Sequence, residues 1–261
     1  MADDIKNVKL SKRLMAVANM VDKGARVADI GTDHGFVPIY LALNNISNKI
    51  IAMDVRTGPL DRARTHVREY KLSNIIDVRL SDGLQNLNVK EADTIICAGM
   101  GGMLMKKIIE DGKPKEKGIQ TLILEPQSDL LVFRKFLREN YFEIIDEDFV
   151  FDEGKFYPII KAKIKDDFES KKAYEDTISY LEKEYENYIE KYDMNVDDLY
   201  ALIDEFGPII IKEKNNDFKR YLVHEISVCD TILDKIQNKA SKERVDEINK
   251  RKKYLMFISK M

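Results

Sequence analysis

Between residues 28 and 35 the chain reads Ala28-Asp29-Ile30-Gly31-Thr32-Asp33-His34-Gly35, and no other stretch constrains the fold as much. It follows a short β-like run, Arg26-Val27-Ala28, and leads into a helix-like segment, Phe36 to Leu43. A buried strand that breaks on glycines and turns into a helix is how a doubly wound sheet builds a cofactor site. The glycines let the backbone approach a ligand closely, and the helix N-terminus offers free N–H groups. The spacing is D-x-G-x-x-x-G, with Asp33 where many nucleotide binders have a middle glycine. A carboxylate aimed at a diphosphate repels it, so a cationic ligand suits this loop better. S-adenosylmethionine, which carries a sulfonium and an ammonium, is the first reading.

The rest of the first 165 residues supports a sheet of this kind. An amphipathic helix follows Leu10-Ser11-Lys12-Arg13, with Leu14, Val17, Ala18 and Val21 on one face and Gly24 as a stop. Strands are expected at Arg26–Thr32, Lys49–Val55, Ile75–Leu80, Thr94–Ala98 and Thr121–Glu125. Helices are expected between them at Phe36–Leu43, Pro59–Tyr70, Met103–Glu110 and Asp129–Glu139. Apolar runs such as IIAMDV, TIICAG and TLILEP read as strands buried on both faces, which belongs to a parallel sheet. Phe142–Phe151 and Lys155–Ile164 are joined by the tight turn Asp152-Glu153-Gly154 and read as an antiparallel hairpin. Five parallel strands closed by an antiparallel pair is the layout of Rossmann-like methyltransferases, whereas common dehydrogenase domains finish with another parallel strand.

Beyond Lys165 the composition shifts to Glu, Lys, Tyr and Asp, and a second domain is expected at 166–261. Tyr174, Ile178, Leu181, Tyr185, Tyr188 and Tyr192 form a heptad seam, and Leu222, Ile226, Cys229, Leu233 and Ile236 repeat it. Phe206-Gly207-Pro208 breaks the helices between them, ahead of the apolar trio Ile209–Ile211, and a third helix is expected from Lys242 to about Ile258. This reads as a helical appendage resembling an antiparallel coiled coil. It also accounts for 34% charged residues, more than a plain enzyme domain needs. The net charge of −3 does not announce a nucleic-acid binder, so such binding must rely on local basic patches. Lys106-Lys107, Lys113 to Lys117 and Lys250-Arg251-Lys252-Lys253 are the basic groupings. Cys97 and Cys229 lack metal-ligand spacing and read as core thiols of a reducing compartment. The opening MADDIKNVKL has no apolar signal core, and no run reaches the length of a membrane span; the expectation is a cytoplasmic protein without a metal.

Candidate ligand residues follow the strands. Asp54 ends the second strand twenty-five residues after Asp29, where an acidic side chain accepts from ribose hydroxyls. That feature fits NAD as well as adenosylmethionine. Ser81-Asp82-Gly83 reads either as an adenine-reading turn or as an ordinary Asp-Gly turn. Ala98-Gly99-Met100-Gly101-Gly102 implies a backbone passing close to a ligand. The Asn/Asp-Pro-Pro-aromatic tetrapeptide of many amino-methylating enzymes is absent there. Glu125-Pro126-Gln127 lies on the same edge, with Gln127 either a substrate contact or part of a turn. Arg13 is positioned to bring a guanidinium over the site from the N-terminal side. His34 lies inside the glycine loop; His66 and His224 sit on expected helices and are not read as catalytic.

These segments together resemble a known family. LSKRL at Leu10, ADIGTDHG at Ala28, DGL at Asp82, AGMGG at Ala98 and GPIIIKEKN at Gly207 are similar to the bacterial TrmK family. Its members are tRNA (adenine-N1)-methyltransferases acting on adenine 22. The resemblance implies a Rossmann-like catalytic domain, a C-terminal coiled-coil domain, adenosylmethionine as donor and tRNA as partner. It implies a pocket formed by Asp29, Gly31, Asp33, His34, Gly35, Asp54, Asp82, Gly83, Gly99 and Met100, with Arg13 in a basic N-terminal motif. Asp33 is the candidate for bonding the adenine 6-amino group, and Arg13 is the second candidate for a catalytic role. Glu125-Pro126-Gln127 departs from the Gln-Pro-Asn of some members, which leaves a role for Gln127 unsupported. The rival readings are an NAD-dependent oxidoreductase and a non-catalytic RNA-binding protein with a relic fold. Oligomeric state is left open between a monomer and a dimer formed through the tail.

Overall fold

The computed structural model describes residues 8–236 and 241–261; most of the charged opening segment, residues 1–7, lies outside them. Helix α1 (Lys12–Asn19) starts where Ser11 Oγ accepts from the Leu14 N–H, so Arg13 lies in its first turn rather than before it. It ends before Val21, which still packs in the core. The alternating segment follows as β1 (Arg26–Ile30), α2 (Phe36–Leu43), β2 (Lys49–Asp54), α3 (Thr57–Glu69) and β3 (Ile76–Leu80). It continues with β4 (Thr94–Met100), α4 (Gly102–Gly112), β5 (Thr121–Pro126) and α5 (Leu130–Glu139), and closes with β6 (Phe142–Asp152) and β7 (Lys155–Ile164).

These strands form one seven-stranded sheet in the order β3-β2-β1-β4-β5-β7-β6. The first five are parallel, and β7 inserts antiparallel between β5 and β6. The apolar runs explain why both faces are covered. Successive residues on a strand point to opposite faces, and here both faces find a core. Val27, Ile50, Ile96 and Ile123 pack on one side with Val17, Ile39 and Leu41. Ala28, Ile51, Ile95 and Leu122 pack on the other with Met105, Phe133 and Leu137.

The remaining helices are α6 (Asp167–Glu184), α7 (Glu186–Lys191), α8 (Val196–Phe206), α9 (Ile210–Glu213), α10 (Asn216–Ile236) and α11 (Lys242–Lys260). The first heptad seam is interrupted at Tyr185, between α6 and α7. Its leading members Tyr174, Ile178 and Leu181 are buried, and α6 packs chiefly on β6, α7 and α8. The second seam does find a helix, because α10 pairs antiparallel with α11. These helices share their core with Phe149 of β6, so the tail is built onto the edge of the sheet.

The basic run Lys250–Lys253 is engaged inside this tail. Lys250 and Lys253 lie beside Asp198, Arg251 pairs with Glu205 and Glu225, and Lys252 pairs with Asp230. Their first effect is to fasten α11 to α8 and α10.

Candidate functional site

The strand order reverses between β1 and β4, and in open α/β sheets the crevice at the carboxyl ends of such strands is where ligands bind. A pocket of about 400 Å³ opens there. It brings together Arg13, Asp29, Gly31, Asp33, His34, Asp54, Gly99 and Met100, residues that are up to 87 positions apart in the chain. Arg56 and Gln127 also line it.

The glycine loop is shaped by its hydrogen bonds. The N–H groups of Gly31 and Thr32 both donate to the Met53 carbonyl, at 2.7 and 2.8 Å, which binds the end of β1 to β2. Gly31 has φ +76°, and a Cβ on it would lie 2.0 Å from Cε of Met100. The Met100 side chain thus rests on the glycine, and both form the pocket wall. Gly35 is also left-handed, but a Cβ there would meet Ala63 of α3 and not the pocket. Its missing side chain serves the packing of the loop on α3.

The acids differ in setting. Asp29 and Asp54 are both buried. Burial pushes the Asp29 carboxyl up to about 6, and the neighbouring charge of Asp54 adds to the rise. The Asp54 Oδ1 accepts from the Arg56 backbone N–H at 2.7 Å. Asp33 is at the rim with its side chain 69% exposed, loosely paired with Arg62 at 3.4 Å and His34 at 3.5 Å. The His34 ring stacks with Phe36 and His66, centroids 5.5 and 5.8 Å away, and the His34 carbonyl lies 2.9 Å from His66 Nδ1. Asp82 and Gly83 line a separate cleft of about 200 Å³ against α4, not this pocket. The Ser81 N–H donates to the Asp54 carbonyl, so the turn is anchored beside the β2 end without joining the cavity.

Arg13 reaches the pocket from α1. Its Nη1 donates to Glu125 Oε2 at 2.5 Å, and its guanidinium lies over the Tyr157 ring, 5.2 Å from the centroid. The anionic partner of this guanidinium is therefore a carboxylate of the chain itself. Glu125, Arg56 and Tyr157 belong to the surroundings of the site; the sequence put Glu125 on this edge without a role and pointed to neither Arg56 nor Tyr157. A signal for Glu125 existed: it is the one charged residue of TLILEP, a run buried along its whole length.

Gln127 also borders a second cavity, about 750 Å³, between the start of α5 and helices α8, α10 and α11. Arg244, Lys250 and Arg251 line its far side together with Glu205, Glu225 and Glu247. Among the described residues no group of three or more His, Cys, Asp or Glu side chains is placed to hold a metal, and no helix is long and apolar enough to cross a membrane.

Residues 10–160 match the family described as "Methyltransferase domain". The chain is 34% identical over 237 residues to the tRNA (adenine(22)-N(1))-methyltransferase of Bacillus subtilis, covering 91% of this chain and 90% of that protein. The crystal structure of the B. subtilis m1A22 tRNA methyltransferase TrmK is similar over 97% of this chain and 99% of that one, with TM-score 0.77 and 31% identity. A structure of Streptococcus pneumoniae Sp1610, a putative tRNA (m1A22) methyltransferase, in complex with S-adenosyl-L-methionine is similar over 96% of this chain and all of that one. Its TM-score is 0.77 and its identity 26%. With the switch-point pocket, the closing hairpin and the helical tail all in place, this chain belongs to the family of tRNA (adenine(22)-N(1))-methyltransferases.

Proposed function

We propose that this chain transfers a methyl group from S-adenosylmethionine to N1 of adenine 22 in tRNA. The observation that carries the reading is the switch-point pocket, whose acids Asp29, Asp33 and Asp54 converge on a cavity walled by Gly31 and Gly99. This donor set fits the cofactor: carboxylates oppose its cationic groups, Asp54 is placed for ribose hydroxyls, and a left-handed glycine backbone admits it closely. A diphosphate meets the same acids as repulsion, which disfavours NAD. Adenosylmethionine supplies a methyl group on a sulfonium, which the in-plane lone pair of adenine N1 can take by in-line displacement.

That chemistry asks for no proton abstraction and no nucleophilic side chain. The residues must hold N1 in line with the methyl and keep water out, and orientation of this kind is worth roughly 7–11 kcal/mol of barrier. Asp33, open at the rim, is placed to accept from the adenine 6-amino group and to favour the cationic product. Asp82 and Gly83, in the neighbouring cleft against α4, remain the candidates for the edge of the cofactor's adenine. N1 lies on the Watson–Crick edge, so the base must arrive unpaired or flipped, at a cost of a few kcal/mol. Residues 166–261 are proposed as the tRNA-binding module: the groove they form with α5 meets the methyl-transfer pocket at Gln127. Arg56, 74% exposed at the pocket mouth, and Arg62 beside Asp33 are placed for flanking phosphates. A tRNA substrate supports a cytoplasmic setting for the protein. Calorimetric titration tests the cofactor reading. Adenosylmethionine should bind and NAD should not, and Asp54→Ala should weaken binding by about 1.5–3 kcal/mol through lost hydrogen bonds to a charged acceptor. Equal binding of both cofactors would contradict it.

A further inference from the structure

The run Ala98-Gly99-Met100-Gly101-Gly102 owes two of its glycines to the loop that follows β5. A Cβ on Gly102 would lie 2.6 Å from the Ser128 carbonyl oxygen, and one on Gly101 would lie 2.9 Å from Ser128 Oγ. The Gly102 N–H donates to that carbonyl at 3.1 Å, and the Gln127 N–H donates to the Met100 carbonyl at 2.9 Å. Gln127 is thereby fixed through its backbone, while the residue itself stays exposed. Among the described residues it alone lines both the switch-point pocket and the larger cavity against the tail. A nucleotide reaching from that cavity into the pocket meets its amide at the junction. Gln127 Nε2 lies on the inner side, 3.9 Å from where a Gly99 Cβ would stand, with a side-chain oxygen of Glu125 as hydrogen-bond partner. The amide has two N–H groups. The one trans to Oε1 takes the inward partner, which leaves the other N–H and Oε1 together on the outer edge.

We propose that Gln127 grips the target adenine by its N6/N7 edge, Oε1 accepting from the 6-amino group and Nε2 donating to N7. The inference rests on the reading of this pocket as the site of methyl transfer to adenine. No other side chain of the pocket offers an acceptor and a donor side by side. The carboxylates of Asp29, Asp33 and Asp54 only accept, Arg13 and Arg56 only donate, and the two ring nitrogens of His34 point apart. Asn and Gln are the side chains whose amides match adenine along this edge. The pairing suits transfer to N1 because it leaves the N1 lone pair without a partner and free to face the methyl group. It also leaves the amino hydrogen on the N1 side for Asp33. Guanine presents two acceptors, O6 and N7, along the same edge, so its O6 would stand against Oε1. One amide thus selects adenine over guanine and orients it.

The test exchanges one atom of the substrate. A full-length tRNA with 7-deazaadenine at position 22 has carbon in place of N7 and keeps N1 and the 6-amino group. With labelled adenosylmethionine under single-turnover conditions, the full chain should methylate it about tenfold more slowly than the unaltered tRNA. Gln127→Met keeps the length of the side chain and removes both polar atoms. It should slow methylation of the unaltered tRNA about 10- to 100-fold, with cofactor affinity and melting temperature as in the parent. In that variant the 7-deaza tRNA should be methylated no more slowly than the unaltered one, because the partner of N7 is already gone. If Gln127→Met fails to fold, Gln127→Ala takes its place in the cycle. A parent indifferent to the loss of N7, a parental rate in the variant, or the same 7-deaza penalty in both proteins overturns the proposal. A residue that only shapes the turn gives that last result, together with a lowered melting temperature. A parent that does not methylate the unaltered tRNA overturns the function reading as well, so the two failures are distinguishable.

Discussion

At the scale of single residues, the pocket carries a cost that its ligand relieves. Asp29 is buried beside Asp54, and its carboxyl is pushed up from 3.8 to about 6. A raised carboxylate means that the folded chain binds the proton more tightly than the unfolded chain does. The ionised form therefore destabilises the unliganded protein above pH 6, and that penalty fades as pH falls from 6 toward 4. Asp29→Asn should stabilise the unliganded protein by about 3 kcal/mol at pH 8, with the gain shrinking toward pH 4 in thermal melts. The same substitution should abolish adenosylmethionine binding, since the cation loses its counter-charge. In the parent, affinity should drop about tenfold between pH 7 and pH 5 as Asp29 takes up its proton. Flat affinity over that range would assign the cation to another acid. Asp29, Asp33 and Asp54 were legible from sequence because each ends a strand or sits in the glycine loop. Glu125 was not assigned a role, because its partner Arg13 lies 112 positions away and no local pattern joins them.

Among the elements, the joint between sheet and tail is a buried ion pair. Arg134 of α5 and Glu147 of β6 are 1% and 0% exposed and meet at 2.9 Å. Glu147 Oε2 also accepts from the N–H groups of Ile209 and Ile210, and Arg134 Nη1 donates to the Glu205 carbonyl. Gly207 permits this approach, for a Cβ there would stand 2.4 Å from the Glu147 carboxylate. Breaking a buried pair from one side costs about 3–5 kcal/mol, because the other charge is left uncompensated. Glu147→Ala should lower the unfolding free energy by that amount, read as a lower denaturant midpoint at unchanged slope, and Gly207→Ala should also destabilise. A midpoint unchanged in Glu147→Ala would show that the joint is held by its apolar contacts. This joint explains what pattern reading could and could not deliver. The five parallel strands and the hairpin were readable because two-sided burial leaves continuous apolar runs and a tight turn leaves Asp152-Glu153-Gly154. Phe206-Gly207-Pro208 was readable only as a break, since its partner Glu147 is about sixty residues upstream. The heptad seams were visible as stripes, but a stripe does not say what covers it. For α6 the cover is chiefly β6, α7 and α8, while α10 takes α11.

For the whole molecule, a chain of net charge −3 must meet a polyanion through local basic surface. The run Lys250–Lys253 is paired with acids of the tail, so Arg56 and Arg62 at the pocket mouth are the better candidates for phosphate contact. Each phosphate contact contributes about −0.7 to −0.9 to the slope of log affinity against log salt. Arg56→Glu with Arg62→Glu should flatten the slope for tRNA by about 1.5, with the cofactor still bound. Charge reversal at Lys250 and Lys252 should instead lower the melting temperature by loosening α11. The opposite pattern in filter-binding and melting experiments would place the tRNA across α11. Incubating the full chain with labelled adenosylmethionine and unmodified tRNA, then mapping the labelled base, reads the methyl transfer itself. One methyl group per tRNA should appear, at N1 of adenine 22; no transfer, or transfer to a different atom or position, would refute the proposed reaction.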